Sequence, residues 1–369
     1  MYTTRRPNIF EFSKPGESDD GSQSGLFNRA AALGLEELHF KIDPVSGLQA
    51  IVAIHSTHRG PALGGTRCLC YATENDAIQD AMRLAQGMSY KSAFAGLPYG
   101  GGKGVLIRPN KITDPIRYFE CYGEFIDSLN GRFITAVDVG TTVDDMDIIV
   151  RKTKHVLSTS ADHGDPSFQT AKGVLGGILA AVKVRLNRED LGGIQVAIQG
   201  VGKVGYYLAH LLHEQDAKLA VCDISAEAVQ RCVEEFGANA VSPEKIVEFD
   251  CDVLSPCALG GIINTDTLNR INANIICGAA NNQLAADFHG DILHQKHIFY
   301  VPDYVVNAGG LIHVVYGASA EAETRISAIY ESVINIYKRS QATHQPSHRV
   351  ANHIAEKLLS ESNQIAAHM

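Results

Sequence analysis

The sequence predicts an α/β protein of two domains, and three observations carry that expectation. The chain has 369 residues, beyond the roughly 250–300 at which a single core stops growing. Short apolar runs alternate with stretches whose apolar residues recur at three- and four-residue spacing, the strand–helix alternation of parallel sheets. In the second half a glycine turn, Gly200-Val201-Gly202-Lys203-Val204-Gly205, stands between one such strand and one such helix.

Residues 1–25 are polar, with little periodicity, and read as a flexible N-terminal extension. From His39 to His55 the pattern alternates and then turns apolar, as a half-buried strand does, before Gly60 and Pro61 break it into a glycine-rich turn. Thr73 caps a helix whose stripe is Ala77, Ile78, Ala81, Met82, Ala85 and Met88, and that helix delivers Lys91. A second helix, about Asp114 to Asn130, buries Phe119, Tyr122, Phe125, Ile126 and Leu129 and stops at Gly131. The strand Phe133–Val137 then presents Asp138.

After about Ala161 a helix over Gln169–Leu186 opens the second domain. Strand Val196–Gln199, the glycine turn, a helix over Tyr206–Glu214 and strand Leu219–Cys222 follow. Further strands are expected at Asp252–Leu254, Asn274–Cys277 and Ile298–Val301. Helices over Glu321–Arg339 and Arg349–Ile365 are expected to bridge the domains or pack back on the first. The boundaries are 26–160 for the first domain, 161–335 for the second and 336–369 for the returning helices.

Composition excludes several classes. A net charge of −9 without a long Lys/Arg run leaves no footprint for nucleic acid or an anionic membrane. No apolar stretch is long enough to span a bilayer and the first residues lack a signal-peptide core, so a cytoplasmic protein is expected. The eight cysteines sit in apolar runs as small hydrophobes, and Cys68 and Cys70 have no second pair at zinc spacing, so no metal is expected.

The glycine turn follows a strand and opens a helix, which is the setting a dinucleotide pyrophosphate needs. Side chains at Gly200, Gly202 and Gly205 would block the backbone N–H groups, and the helix N-terminus, through Val204, adds partial positive charge. The next strand ends at Asp223, where a carboxylate accepts hydrogen bonds from the adenosine ribose and repels a 2′-phosphate. NAD is therefore preferred to NADP, although Lys203 could tolerate a phosphate. This is a Rossmann-type dinucleotide-binding domain.

In the first domain Gly100-Gly101-Gly102-Lys103-Gly104 invites a phosphate-loop reading, which fails because Leu97 replaces its first glycine and Gly104 its Ser or Thr. The glycines suggest instead a crowded site where substrate and nicotinamide approach the backbone. If Lys91 and Lys103 share a cleft, burial and mutual repulsion lower their pKa values toward general-base range; the alternative is two solvated surface lysines. The fifteen histidines form no His–carboxylate constellation of the kind 2-hydroxy-acid dehydrogenases use.

Between about Leu38 and Tyr330 the chain resembles the Glu/Leu/Phe/Val amino-acid dehydrogenase family, the leucine enzymes most. The likeness runs through Gly60-Pro61-Ala62-Leu63-Gly64-Gly65-Thr66-Arg67, Gly87-Met88-Ser89-Tyr90-Lys91, the Lys103 segment and Asp138-Val139-Gly140-Thr141-Thr142. It continues through the dinucleotide turn, Pro256-Cys257-Ala258-Leu259-Gly260-Gly261, Ala280-Asn281-Asn282-Gln283-Leu284 and Pro302-Asp303-Tyr304-Val305-Val306-Asn307. The resemblance implies an N-terminal α/β substrate and oligomerisation domain, an NAD domain, and a homo-oligomer.

It also implies roles. Lys91 and backbone near Gly64 would hold the α-carboxylate of an L-amino acid, with Asn282 orienting it. Lys103 would activate water, Asp138 would exchange protons with the amine, and Thr170 and Asn307 would lie at the cofactor. The products would be the 2-oxo acid, ammonia and NADH. Leu63 and Val314 stand where glutamate enzymes carry a lysine and a serine for a distal carboxylate, so an apolar substrate is implied. Ala136 is leucine-type, favouring branched aliphatic substrates, whereas Leu311 is closer to the aromatic-specific members. The rivals are a phenylalanine or other aromatic amino-acid dehydrogenase and, remotely, a non-catalytic nucleotide-binding Rossmann protein.

Overall fold

The computed structural model describes residues 25–361. The expected flexible extension therefore falls, Gly25 aside, outside the described residues, as does the end of the last predicted helix.

The first domain begins with helix α1 (Leu26–Ala32) and a five-stranded sheet ordered β1-β2-β4-β3-β5. Its strands are β1 (Glu37–Asp43), β2 (Leu48–Ser56), β3 (Ala62–Leu69), β4 (Gly100–Ile107) and β5 (Phe133–Val137). β1, β2 and β4 pair antiparallel, while β3 lies parallel to β4 and β5. Helix α2 (Glu74–Phe94) covers one face through Ala77, Ala81 and Ala85, packed on Ile51, Ala53 and Val105. Helices α3 (Pro115–Ser128) and α4 (Val143–Ile149) cover the other, with Tyr118, Tyr122, Ile126, Met146 and Ile149 against Ala62, Leu106 and Phe133. The helix starts are where the sequence expects them: Thr73 forms a capping box with Asp76, and Asp114 accepts from the Arg117 N–H.

Two expectations need correction. The His39–His55 run is a hairpin rather than one strand; Asp43 accepts from the Ser46 N–H and hydroxyl, and Gly47 takes φ +76°, closing the turn through Pro44. The two glycine-rich segments are central strands, β3 and β4, rather than a turn and a loop. Glycine is required there by close approach: a Cβ on Gly101 would lie 2.0 Å from Ser89 N on α2, and one on Gly64 would lie 1.8 Å from Gly102 O. Gly101→Val is accordingly expected to abolish folding, which circular dichroism of the purified variant checks.

The second sheet is wholly parallel, ordered β11-β10-β9-β6-β7-β8. It comprises β6 (Gln195–Gln199), β7 (Lys218–Cys222), β8 (Asn239–Ala240), β9 (Cys251–Pro256), β10 (Ala273–Ile276) and β11 (Phe299–Tyr300). Successive strands run outward from β6 in one direction and then from β9 in the other. The order therefore reverses between β6 and β9, and the crevice beyond their carboxyl ends is where such sheets bind ligands. Helices α5 (Ser167–Leu186), α6 (Lys203–His213), α7 (Ala226–Phe236), α8 (Thr265–Leu268) and α9 (Asp287–Gln295) accompany these strands. The expected helix after the turn begins earlier than Tyr206, so Val204 and Gly205 lie in its first turn.

Four helices close the chain: α10 (Asp303–Val306), α11 (Gly309–Tyr316), α12 (Ala320–Thr343) and α13 (Ser347–Glu361). α12 packs on α5, and α13 returns to α2, where Tyr90 donates to Glu356 and Arg59 donates to the Leu358 carbonyl. Among the described residues no helix is long and apolar enough to cross a membrane.

Candidate active site

The pleat of the first sheet assembles one half of the site. Leu63 pairs with Gly101 and Ile134, Gly65 with Ala136, and Arg67 with Val105, so these positions share a face. Lys103 belongs to that face because it lies two residues from both Gly101 and Val105, and Asp138 because it lies two beyond Ala136. It is the face under α2, whose last turn carries Lys91. Gly64 projects to the opposite face and offers only backbone.

Lys103 Nζ lies 2.8 Å from Asp138 Oδ2, with only 6% of its side chain exposed. It is neither a solvated lysine nor one facing only another lysine. Arg67 Nε approaches the same carboxylate oxygen at 3.1 Å. Burial opposes ionisation of Asp138, but Lys103 and Arg67 outweigh it and hold the carboxyl down to about 2. Burial pushes the Lys91 ammonium down to about 8; Lys103 adds to that fall and buried Asp303 resists it. Asp303 accepts from the Gln283 N–H at 3.0 Å and the Tyr300 hydroxyl at 3.2 Å, and its own pKa is raised by burial.

The second domain meets Lys91 from the other side. Lys91 Nζ donates to Asn281 Oδ1 at 3.2 Å, and Asn307 Nδ2 donates to the same oxygen at 2.7 Å and to Ala279 O at 3.0 Å. Asn282, expected to orient a substrate, is the neighbour: half-buried, at φ +53°, while the side chain reaching Lys91 is that of Asn281. Asn281, Asp303, Arg67 and Asp80 were given no role from sequence. Strand parity could have indicated Arg67, because it follows Gly65 on the Lys103 face.

Among the wall positions, Leu63 is fully enclosed at 0% exposure and Ala136 is buried. Leu311 and Val314 are half-buried on α11, three residues apart and so on one face. Thr170, in the first turn of α5, donates to Pro166 O, and a Cβ on Gly310 would lie 2.4 Å from its hydroxyl oxygen.

The turn after β6 fits a dinucleotide. Gly200 takes φ +94°, a Cβ on Gly205 would lie 2.0 Å from Gly200 O, and space is open above Gly202 at the α6 N-terminus. Asp223 directly follows β7 and accepts from the Val201 N–H at 2.8 Å and the Ser225 N–H at 2.9 Å. Lys203 pairs with Asp165 at 2.8 Å. Asn307 Oδ1 is buried without a partner among the described residues, an acceptor ready for an incoming donor. A groove of about 900 Å³ opens between α6 and α7 beside Gly202, away from Lys103. Among the described residues no group of three or more His, Cys, Asp or Glu could hold a metal.

The comparisons follow the same division of the chain. Residues 36–155 match the Glu/Leu/Phe/Val dehydrogenase dimerisation domain, and residues 221–368 match the glutamate/leucine/phenylalanine/valine dehydrogenase domain. A leucine dehydrogenase from Geobacillus stearothermophilus is 47% identical over 339 residues, covering 90% of this chain and 92% of its own. An L-tryptophan dehydrogenase from Nostoc punctiforme is 43% identical over 346 residues, covering 91% and 97%. The crystal structure of L-tryptophan dehydrogenase from Nostoc punctiforme superposes with a TM-score of 0.80 at 40% identity, covering 92% of this chain and 100% of that one. With a buried lysine–aspartate pair in the first domain and these relatives along nearly its whole length, the chain belongs to the glutamate, leucine, phenylalanine and valine dehydrogenase family and is an amino-acid dehydrogenase.

Proposed function

We propose that this amino-acid dehydrogenase is NAD-dependent and reversibly deaminates apolar L-amino acids, leucine, valine and isoleucine first, to 2-oxo acids and ammonia. The observation that carries the reading is the buried pair of Lys103 and Asp138, 2.8 Å apart, beside a lysine whose pKa burial holds at about 8. Lys91 and the backbone near Gly64 bind the α-carboxylate, and Asn281, itself held by Asn307, orients Lys91. Asp138 takes a proton from the substrate amine. NAD supplies the hydride acceptor when bound. Lys103 then acts as the base toward the water that attacks the imine carbon, Asp138 returns its proton to the nitrogen, and loss of the hydroxyl proton expels ammonia as the 2-oxo acid forms.

Asn307, with its unpartnered buried oxygen, and Thr170 face the nicotinamide end, and Gly200, Gly202, Val204 and Gly205 cradle the pyrophosphate. Asp223 selects against a 2′-phosphate. Turnover with NADP is expected to be about a hundredfold less efficient than with NAD, and Asp223→Ser to narrow that gap; kcat/KM for both cofactors measures it.

Apolar Leu63 and Val314, with Ala136, leave a distal carboxylate without a partner, which supports aliphatic substrates. The tryptophan dehydrogenase relatives and Leu311 favour an aromatic alternative. NADH appearance at alkaline pH with leucine, valine, isoleucine, phenylalanine, tryptophan and glutamate separates them. Aliphatic preference supports the pocket reading, aromatic preference overturns it, and silence across the panel overturns the NAD-linked assignment.

Homo-oligomerisation through β1 completes the reading. Among the described residues β1 pairs only with β2, and Phe40 and Ile42 on it and Val45 beyond it are exposed. Ile42→Lys is expected to lower the molar mass seen by light scattering while leaving the fold intact. The eight free thiols support a reducing, cytoplasmic compartment.

A further inference from the structure

A chain of charged and polar groups extends from the reacting centre along the helix-covered face of the first sheet. Arg67 Nε meets Asp138 Oδ2 at 3.1 Å, and Nη1 of the same guanidinium meets Asp80 Oδ2 at 3.0 Å. The Tyr71 hydroxyl donates to that Asp80 oxygen at 2.6 Å. The reaction proposed above employs Lys103 and Asp138 and leaves Arg67, Asp80 and Tyr71 without a part.

Geometry gives them one. Only 14% of the Arg67 side chain is exposed, and a guanidinium withdrawn from water persists where carboxylates satisfy it. Its planar fork can serve two carboxylates at once in fixed directions, which a single ammonium cannot. Asp80 lies on α2 between Ala77 and Ala81, both fully buried against the sheet, so the far anchor of the fork is itself fixed.

We propose that Arg67 is a positioning residue for the acid–base pair: tethered by Asp80 and Tyr71, it holds Asp138 against Lys103 and sets the pH at which that pair releases its proton. The proposal rests on reading Lys103 and Asp138 as the acid–base pair. The groups facing the pair are Arg67 from β3, Tyr71 just after it, Asp80 and Lys91 from α2, and, through Lys91, Asp303 from α10. Removing the Arg67 charge takes a cation from beside the pair. The pair then keeps its proton to higher pH.

The test is the pH profile of kcat/KM for oxidative deamination in the wild type, Arg67→Gln, Arg67→Lys and Asp80→Asn. In Arg67→Gln the rising limb is expected to move up by about one pH unit, with kcat reduced more than about tenfold. Arg67→Lys keeps the charge, so its limb stays near the wild-type position while kcat falls several-fold because the two-ended tether is lost. Asp80→Asn lowers kcat with the KM for NAD unchanged. Thermal unfolding and NADH binding establish that each variant is folded.

A folded Arg67→Gln enzyme with the wild-type limb, scaled down equally at every pH, would mean a merely structural role and overturn the proposal. Should that variant not fold, Arg67→Lys and Asp80→Asn decide it: reduced kcat at unchanged cofactor KM supports the tether, and wild-type kcat in both overturns it. A wild-type enzyme silent with every amino acid would remove the acid–base reading itself, and the proposal with it; activity in the wild type separates the two failures.

Discussion

Lys103→Ala is expected to bind NADH with unchanged affinity and to turn over at least about a thousandfold more slowly than the wild type. The Lys103 side chain is buried in the first domain, 2.8 Å from Asp138, and the cofactor turn belongs to the second, so its removal leaves cofactor contacts in place. Folding should survive as well. The carboxylate of Asp138 keeps Arg67 as a partner at 3.1 Å, so truncating Lys103 does not strand a buried charge. The loss should appear in kcat, because the proton taken from water is needed only on the way to the transition state. Steady-state kinetics beside a fluorescence titration with NADH separates the two effects. Near-normal turnover would refute the assignment of Lys103 as the base.

What could be read from the chain divides by the range of the forces involved. The caps at Thr73 and Asp114, the apolar stripe of α2 and the strand–turn–helix around Gly200 to Gly205 are local, and each forms where its residues are written. β3 and β4 could not be read that way. Their glycines lower strand propensity, and what makes strands of them is contact with Ser89, the Phe133 ring and each other, none of it near in sequence. The hairpin at Pro44 to Gly47 is local and legible in its turn residues, but the alternation on either side of it reads as one strand. At the site, lysines and aspartate in matching motifs could be singled out, but the sharing of one carboxylate oxygen by Lys103 and Arg67 arises only when three strands align in register. The contact of Asn281 with Lys91 escapes the sequence for a similar reason: it joins residues from the two domains, and no local spacing marks it.

Lys91 should trade stability for substrate binding, and pH exposes both sides of the trade. Burial holds its folded-state pKa at about 8 against an ordinary value of 10.5, so between these values the unfolded chain binds more protons than the folded one. Stability contributed by this group therefore rises with pH across that window, and at neutral pH the charged ammonium is a burden. Lys91→Met is expected to gain about 1–2 kcal/mol at pH 7, allowing for partial solvent screening, visible as a raised Tm. The same variant should lose about a hundredfold in kcat/KM for the amino acid, because the α-carboxylate enters a cleft without its cation. In the wild type, kcat/KM for the amino acid should fall as pH rises through about 8 and Lys91 loses its charge, the limb reporting the free enzyme. Lys91→Arg keeps a cation at every accessible pH and should remove that falling limb. A falling limb unchanged in Lys91→Arg would show that the half-buried ammonium is not the carboxylate anchor, and a Lys91→Met protein less stable than the wild type would show that it is not the strained charge this geometry requires.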